Sequence, residues 1–164
     1  MTFNEANTVE AFIRDLLCGG VTDDTVVGPG LARQNNQLAG LGWHYLSHEH
    51  LHRQPQEALV EDHLSKALVR LNPTIAANPD RADDVIYQLR AIIMGVRSDG
   101  LVKANEAFAD WLTGEKSMPF GKNGEHVTIK LIDFDDLEQN QYVVPQQYTF
   151  QAGPVTKRAD LVML

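Results

Sequence analysis

Apolar residues recur along this chain with two periods, and the change from one to the other divides it. Near the start, Val9, Phe12, Ile13, Leu16 and Leu17 fall on one face of a 3.6-residue repeat, with Asn4 placed to cap a helix and Glu5 in its first turn. A second stripe, Leu59, Val60, Leu64, Ala67, Leu68 and Leu71, stops at Asn72-Pro73, because the residue before proline avoids helical geometry. Asn78, Pro79 and Asp80 open a third segment whose apolar side is Val85, Ile86, Leu89, Ile92 and Ile93. A fourth carries Leu101, Ala104, Phe108, Trp111 and Leu112, with Gly114 as its stop. Residues 1–114 are therefore expected to be mainly helical.

Beyond residue 124 the period drops to two. Val127, Ile129, Leu131 and Asp133 alternate with Thr128, Lys130, Ile132 and Phe134, which predicts a strand. In "YVVPQQYTF" aromatic and β-branched residues surround Pro145, which suggests an edge strand or a bulge. "DDLEQN" and "QAGP" supply turns, and "RADLVML" predicts a further strand directly after the second. The expectation is one α+β domain over residues 1–164, a helical N-terminal half followed by strands over 125–164. Two stretches have no period: the glycine-rich excursion from Cys18 to Gly42, and "WHYLSHEHLHRQP", which reads as a polar connection.

A composition of 43% hydrophobic and 22% charged residues over 164 positions suits one globular domain and argues against disorder. The longest apolar runs, such as "AIIMGV", are too short to span a bilayer, and "MTFNEANTVEA" lacks the features of a signal peptide, so a cytoplasmic location is expected. The single cysteine, Cys18, excludes an internal disulfide and is read as inert. With 14 basic against 22 acidic residues the formal charge is -8, the wrong sign for gripping nucleic acid over a broad face. If DNA is the substrate, other parts must hold it.

Most chemical motifs fail on inspection. His44, His48, His50 and His52 cluster in sequence, yet no H-E-x-x-H or similar zinc spacing is present, and a histidine-rich metal site remains a minor alternative. "GEKSMPFGKNG" departs from a phosphate-binding loop because Asn123 follows Lys122. No nucleophile elbow occurs. What remains is carboxylate chemistry: Asp160, early in a strand and preceded by Lys157 and Arg158, suits a divalent cation beside an anionic strand.

Several stretches in order, "EANT", "LGWHYL", "EDHLSKALVRLNP", "KANEAF", "LIDFDDLEQNQYVVPQQYTF" and "KRADLVML", resemble the N-terminal nuclease domain of the type I restriction enzyme R subunit over nearly the whole chain. The most specific marks are Leu71-Asn72-Pro73, Leu131-Ile132-Asp133-Phe134 with Asn140, and Arg158 with Asp160. The resemblance implies a PD-(D/E)xK core, a helix on a mostly antiparallel sheet, cleaving DNA with magnesium. Asp160 matches the motif aspartate, with Ala159 where proline is common. Glu5 matches the helical glutamate of the metal site, with Glu10 as the alternative, and Arg158 and Lys157 are implied to lie near DNA.

The resemblance also implies an ATP-driven motor in the complete subunit and association with methyltransferase and specificity subunits on double-stranded DNA. No ATP-binding motif lies in these residues. The E-x-K of the motif belongs about a dozen residues past the aspartate, whereas four residues follow Asp160 here, so the chain by itself is expected not to cleave DNA. A non-catalytic docking domain for partner subunits is the alternative expectation.

Overall fold

The computed structural model describes residues 9–19, 40–47 and 50–164. The chain forms two compact units interleaved in sequence, residues 58–140 and residues 1–57 with 141–164. Both helices and strands are present, and two of the three strand pairings are antiparallel, so the α+β expectation holds.

The unit of residues 58–140 holds α2 (Glu61–Leu71), α3 (Pro73–Ala76), α4 (Arg81–Asp99), α5 (Leu101–Leu112) and a short antiparallel pair, β2 (Ser117–Met118) with β3 (Val127–Thr128). The helical stripes meet as their spacing requires. Leu68, Ile75, Val85, Ile86, Leu89 and Trp111 are buried in one cluster with Phe120 and Ile129. Helix α2 ends where Asn72 turns extended, and Gly114 takes a left-handed φ of 75° two residues after α5. Arg81 ties the start of α4 to the rest by donating to the carbonyls of Thr74 and Phe120, each at 2.9 Å.

The alternation from Val127 to Phe134 does not produce the long strand it predicts. Pairing ends at Thr128, Ile129 N donates to Lys116 O at 3.1 Å, and the backbone groups of Lys130 are then taken by a side chain rather than by a neighbouring strand. Asn72, 3% exposed, accepts from Lys130 N and donates to Lys130 O, both at 2.8 Å, and also donates to Leu68 O at 3.0 Å. The amide thus completes the hydrogen bonding that a strand partner would have offered. Ile129 is buried beside this clamp, which is why the sequence shows an apolar beat there.

The other unit contains α1 (Ala11–Cys18), β1 (His44–Leu46), β4 (Val143–Ala152) and β5 (Val155–Leu161), with the sheet ordered β1, β4, β5. β1 runs parallel to β4 and β5 antiparallel to it, joined by a tight turn at Gly153-Pro154. β1 lies in a segment read as a connection, since three residues are too few to show a period. β4 is the central strand, not an edge as Pro145 suggests. The proline sits at the last pair with β1, Leu46 to Pro145, where its missing N–H costs little. Pairing of the hairpin continues past β5, with Val143 and Leu164 exchanging bonds of 2.9 and 2.8 Å.

Helix α1 is rotated from the orientation its stripe predicts. Val9, Phe12, Ile13 and Leu16 are exposed, whereas Glu10 and Cys18 are buried. Three contacts fix this rotation: Arg14 lies 5.5 Å from the ring of Tyr45 on β1, Trp43 N donates to Leu17 O at 3.3 Å, and Gln147 on β4 reaches Glu10. The chain leaves α1 at Gly19, which has a left-handed φ of 82°, and returns at Gly40, where a Cβ would overlap the Gly19 backbone. Asn4 and Glu5, and the excursion from 20 to 39, lie outside the described residues. No helix among the described residues is long and apolar enough to cross a membrane.

Candidate functional site

β5 carries three of the residues singled out in the sequence. Lys157, Arg158 and Asp160 are all exposed. Side chains alternate along a strand, so Arg158 and Asp160 share one side of the sheet and Lys157 projects from the other. The basic pair is therefore split, and only Arg158 accompanies the aspartate. Across the hairpin Arg158 pairs with Thr149, and the flanking pairs, Gln146 with Leu161 and Tyr148 with Ala159, set Gln147 opposite Asp160.

Gln147 departs from its strand. Its φ is 56°, a left-handed value that is unfavourable for a residue with a Cβ and foreign to a β-ladder. From that position its Nε2 donates to Glu10 Oε2 at 3.1 Å. Glu10 is 8% exposed, and no cation pairs with it among the described residues. A carboxylate withdrawn from water and met by one neutral amide is incompletely compensated, and a divalent cation is the partner that would complete it. Carboxylate oxygen is the donor chemistry that suits magnesium, a hard cation that retains several waters and takes one or two carboxylates. Glu5, the other helical candidate, is not among the described residues.

The second carboxylate-rich stretch, Asp133 to Asp136, has a different use. Asp133 Oδ1 accepts from the N–H groups of Asp135 and Asp136 at 3.0 and 3.1 Å, and Oδ2 accepts from Lys130 Nζ at 3.0 Å. Asn140 grips the backbone of the same residue, accepting from Asp133 N at 2.9 Å and donating to Asp133 O at 2.7 Å. Both oxygens of the Asp133 carboxylate are engaged in closing the loop. The Asp136 N–H, then Lys130, hold the Asp133 carboxyl below its ordinary range against the opposing effect of burial, while Asp133 and Asp135 hold the Lys130 ammonium above its own.

A depressed carboxyl contributes stability at neutral pH that is lost as pH falls through the folded-state value. Asp133→Asn is therefore expected to melt below the parent protein at pH 7. The gap should begin to narrow below a pH of about 4, where the carboxyl of the unfolded chain takes up its proton, and close as pH falls through the lower folded-state value. Melting curves between pH 7 and pH 3 read this directly, and a gap independent of pH would exclude the loop-closing role.

Burial pushes the Cys18 thiol up, with Asp15 adding to the rise and Arg14 opposing it, which keeps it protonated and unreactive. Among the described residues no three His, Cys, Asp or Glu side chains gather as a metal site, and His48 lies outside those residues. Arg53 lines a shallow pocket with Leu51, Pro55, Tyr148 and Thr149, but its guanidinium is engaged there. Its guanidinium lies 3.8 Å from the Tyr148 ring centre and donates to the carbonyls of Thr149, Gln54 and Glu57.

Sequence reasoning singled out Asp160, Arg158 and the Glu5/Glu10 choice but missed Gln147. No pattern marks a glutamine whose role depends on a backbone angle and on a helix far away in the chain. Residues 32–164 match the family model for the type I restriction enzyme R protein N terminus. The match includes Gln147, Arg158 and Asp160 and begins after α1. No curated protein and no solved structure matches the chain.

Proposed function

This chain belongs to the family of type I restriction enzyme R protein N termini, and from that premise we propose that it forms part of the magnesium-dependent DNA-cleaving domain of that subunit. The observation that carries the reading is the link from Glu10 through Gln147 to the position facing Asp160. It ties a buried helical carboxylate to β4 at the position opposite Asp160, the strand aspartate that the motif requires. Asp160 and Glu10 are assigned to hold the metal, and Arg158, on the same side of the sheet, to lie along the DNA phosphates. Lys157, on the opposite side, is assigned at most a peripheral contact.

A bound magnesium ion lowers the pKa of its water and offsets the charge that develops on the scissile phosphate. The residues of this chain contribute position. Asp160 would present its carboxylate from the β4–β5 hairpin, and Gln147 would hold the carboxylate of Glu10 at the start of α1. An E-x-K pair of the complete subunit is proposed to supply the second carboxylate and the lysine of the site. The ATP-driven motor, the methyltransferase and specificity subunits and a cytoplasmic location are proposed for that complete protein. Its motor and partners would grip the double-stranded DNA that this acidic domain does not attract.

The choice of helical carboxylate is open to a direct test. Glu10→Gln is expected to weaken binding of Mn2+, used in place of magnesium, at least tenfold, while Glu5→Gln leaves it unchanged. Paramagnetic resonance of free Mn2+ reports both. The reverse result would move the ligand to Glu5. A second reading, a docking domain for partner subunits, draws on the exposed row Val9, Phe12, Ile13 and Leu16 of α1. Under that reading neither substitution matters, because no cation binds.

A further inference from the structure

We propose that Gln147 is the positioning residue of this site. It holds the Glu10 carboxylate in place for the cation shared with Asp160, and its left-handed backbone is the conformation that lets it do so. The inference rests on the metal-site reading above and extends it to a residue that does not itself touch the cation.

Three observations converge on Gln147. A glutamine with φ of 56° inside a strand of ten residues is held against its own preference, since only glycine, asparagine and aspartate adopt this region easily. The surroundings must over-determine such a conformation, and residues of this kind gather at functional sites. The hairpin does: pairing keeps one register on both sides, Gln146 with Leu161 and Tyr148 with Ala159, so no residue is inserted and the distortion is confined to the position opposite Asp160. The third observation is the destination of the side chain. It crosses to α1 and donates to Glu10 Oε2 at 3.1 Å, a bond spanning 137 positions of sequence.

A purely structural link would be served as well by an apolar contact, which would spare the helix a buried carboxylate. An amide N–H on one carboxylate oxygen has a specific consequence instead. It leaves the carboxylate charged and turns it so that the other oxygen faces away from the donor. Groups that orient a ligand in this way are worth roughly 10–100-fold in metal affinity. Neither glutamate nor lysine could replace Gln147. A glutamate would repel Glu10, and a lysine would neutralise it and compete with the cation.

The test uses the chain with Mn2+ alone, and reads both cation binding and melting temperature. Gln147→Ala is expected to weaken Mn2+ binding by at least tenfold, within the range of ~10–100-fold for orienting residues. Gln147→Gly, which accepts the left-handed φ, is expected to melt no lower than the alanine variant and to bind Mn2+ as weakly. The exchange of Glu10→Gln with Gln147→Glu retains an amide-to-carboxylate hydrogen bond and is expected to restore the melting temperature but not Mn2+ binding. Parent-like binding in Gln147→Ala, or recovery of binding in the exchange, overturns this proposal and leaves the metal-site reading standing. Failure of the parent chain to bind Mn2+ at all overturns both.

Discussion

Asp160→Asn in the complete subunit is expected to lower DNA cleavage about 1,000-fold while ATP hydrolysis and DNA translocation stay at the parent level. The size follows from the assigned role. A metal ion at a reacting phosphate is worth several kcal/mol of transition-state stabilisation, and loss of about 4 kcal/mol corresponds to three powers of ten in rate. The substitution is nearly isosteric and the site is exposed, so the fold should be undisturbed. Arg158→Gln, on the same side of the sheet, should give a smaller loss that grows with salt, whereas Lys157→Gln, on the other side, should cost little. Cleavage assays on a defined DNA, run beside ATPase assays, separate these outcomes. Undiminished cleavage by Asp160→Asn would remove the aspartate from the site.

The helices were legible because their energetics are local in sequence. Leu68, Val85, Leu89 and Trp111 lie in the core, and each stands in a stripe of the right period. Breakers also kept their meaning at Pro73 and Gly114, since each acts on the backbone it sits in. The failures share a different origin. The Val127 to Phe134 alternation was a true record of which side chains face inward, but period two does not say what satisfies the backbone. Here a side chain, Asn72, does so from 58 positions away. α1 shows the same limit in reverse, for its stripe identified a helix but not the face that would be buried. A buried Glu10 and exposed Val9 and Phe12 contradict hydrophobicity and follow from contacts to β1 and β4. Asp160 could be proposed from the sequence because motif and strand coincide in one short stretch. Gln147 could not, because both its backbone angle and its partner arise only on folding.

The largest effect on stability is expected at Asn72. Its side chain makes three hydrogen bonds at a site only 3% exposed, to Leu68 O, Lys130 O and Lys130 N. Asn72→Ala leaves both backbone groups of Lys130 without that partner; each unsatisfied buried group costs about 1–3 kcal/mol, and because Lys130 is only half-buried the loss should fall in the lower half of the summed range, ~2–4 kcal/mol. Asn72→Asp should be worse despite its smaller change in shape. It keeps an acceptor for Lys130 N but turns the other oxygen, charged and buried, toward the carbonyls of Leu68 and Lys130, a penalty of about 3–5 kcal/mol. Urea unfolding followed by Trp111, buried in the same unit, measures this once Trp43 is replaced by phenylalanine in parent and variants alike. The order parent, alanine, aspartate in decreasing stability is the signature of a clamp. Equal stability of alanine variant and parent would mean that water replaces the amide at no cost, and that Ile129 alone holds the segment down.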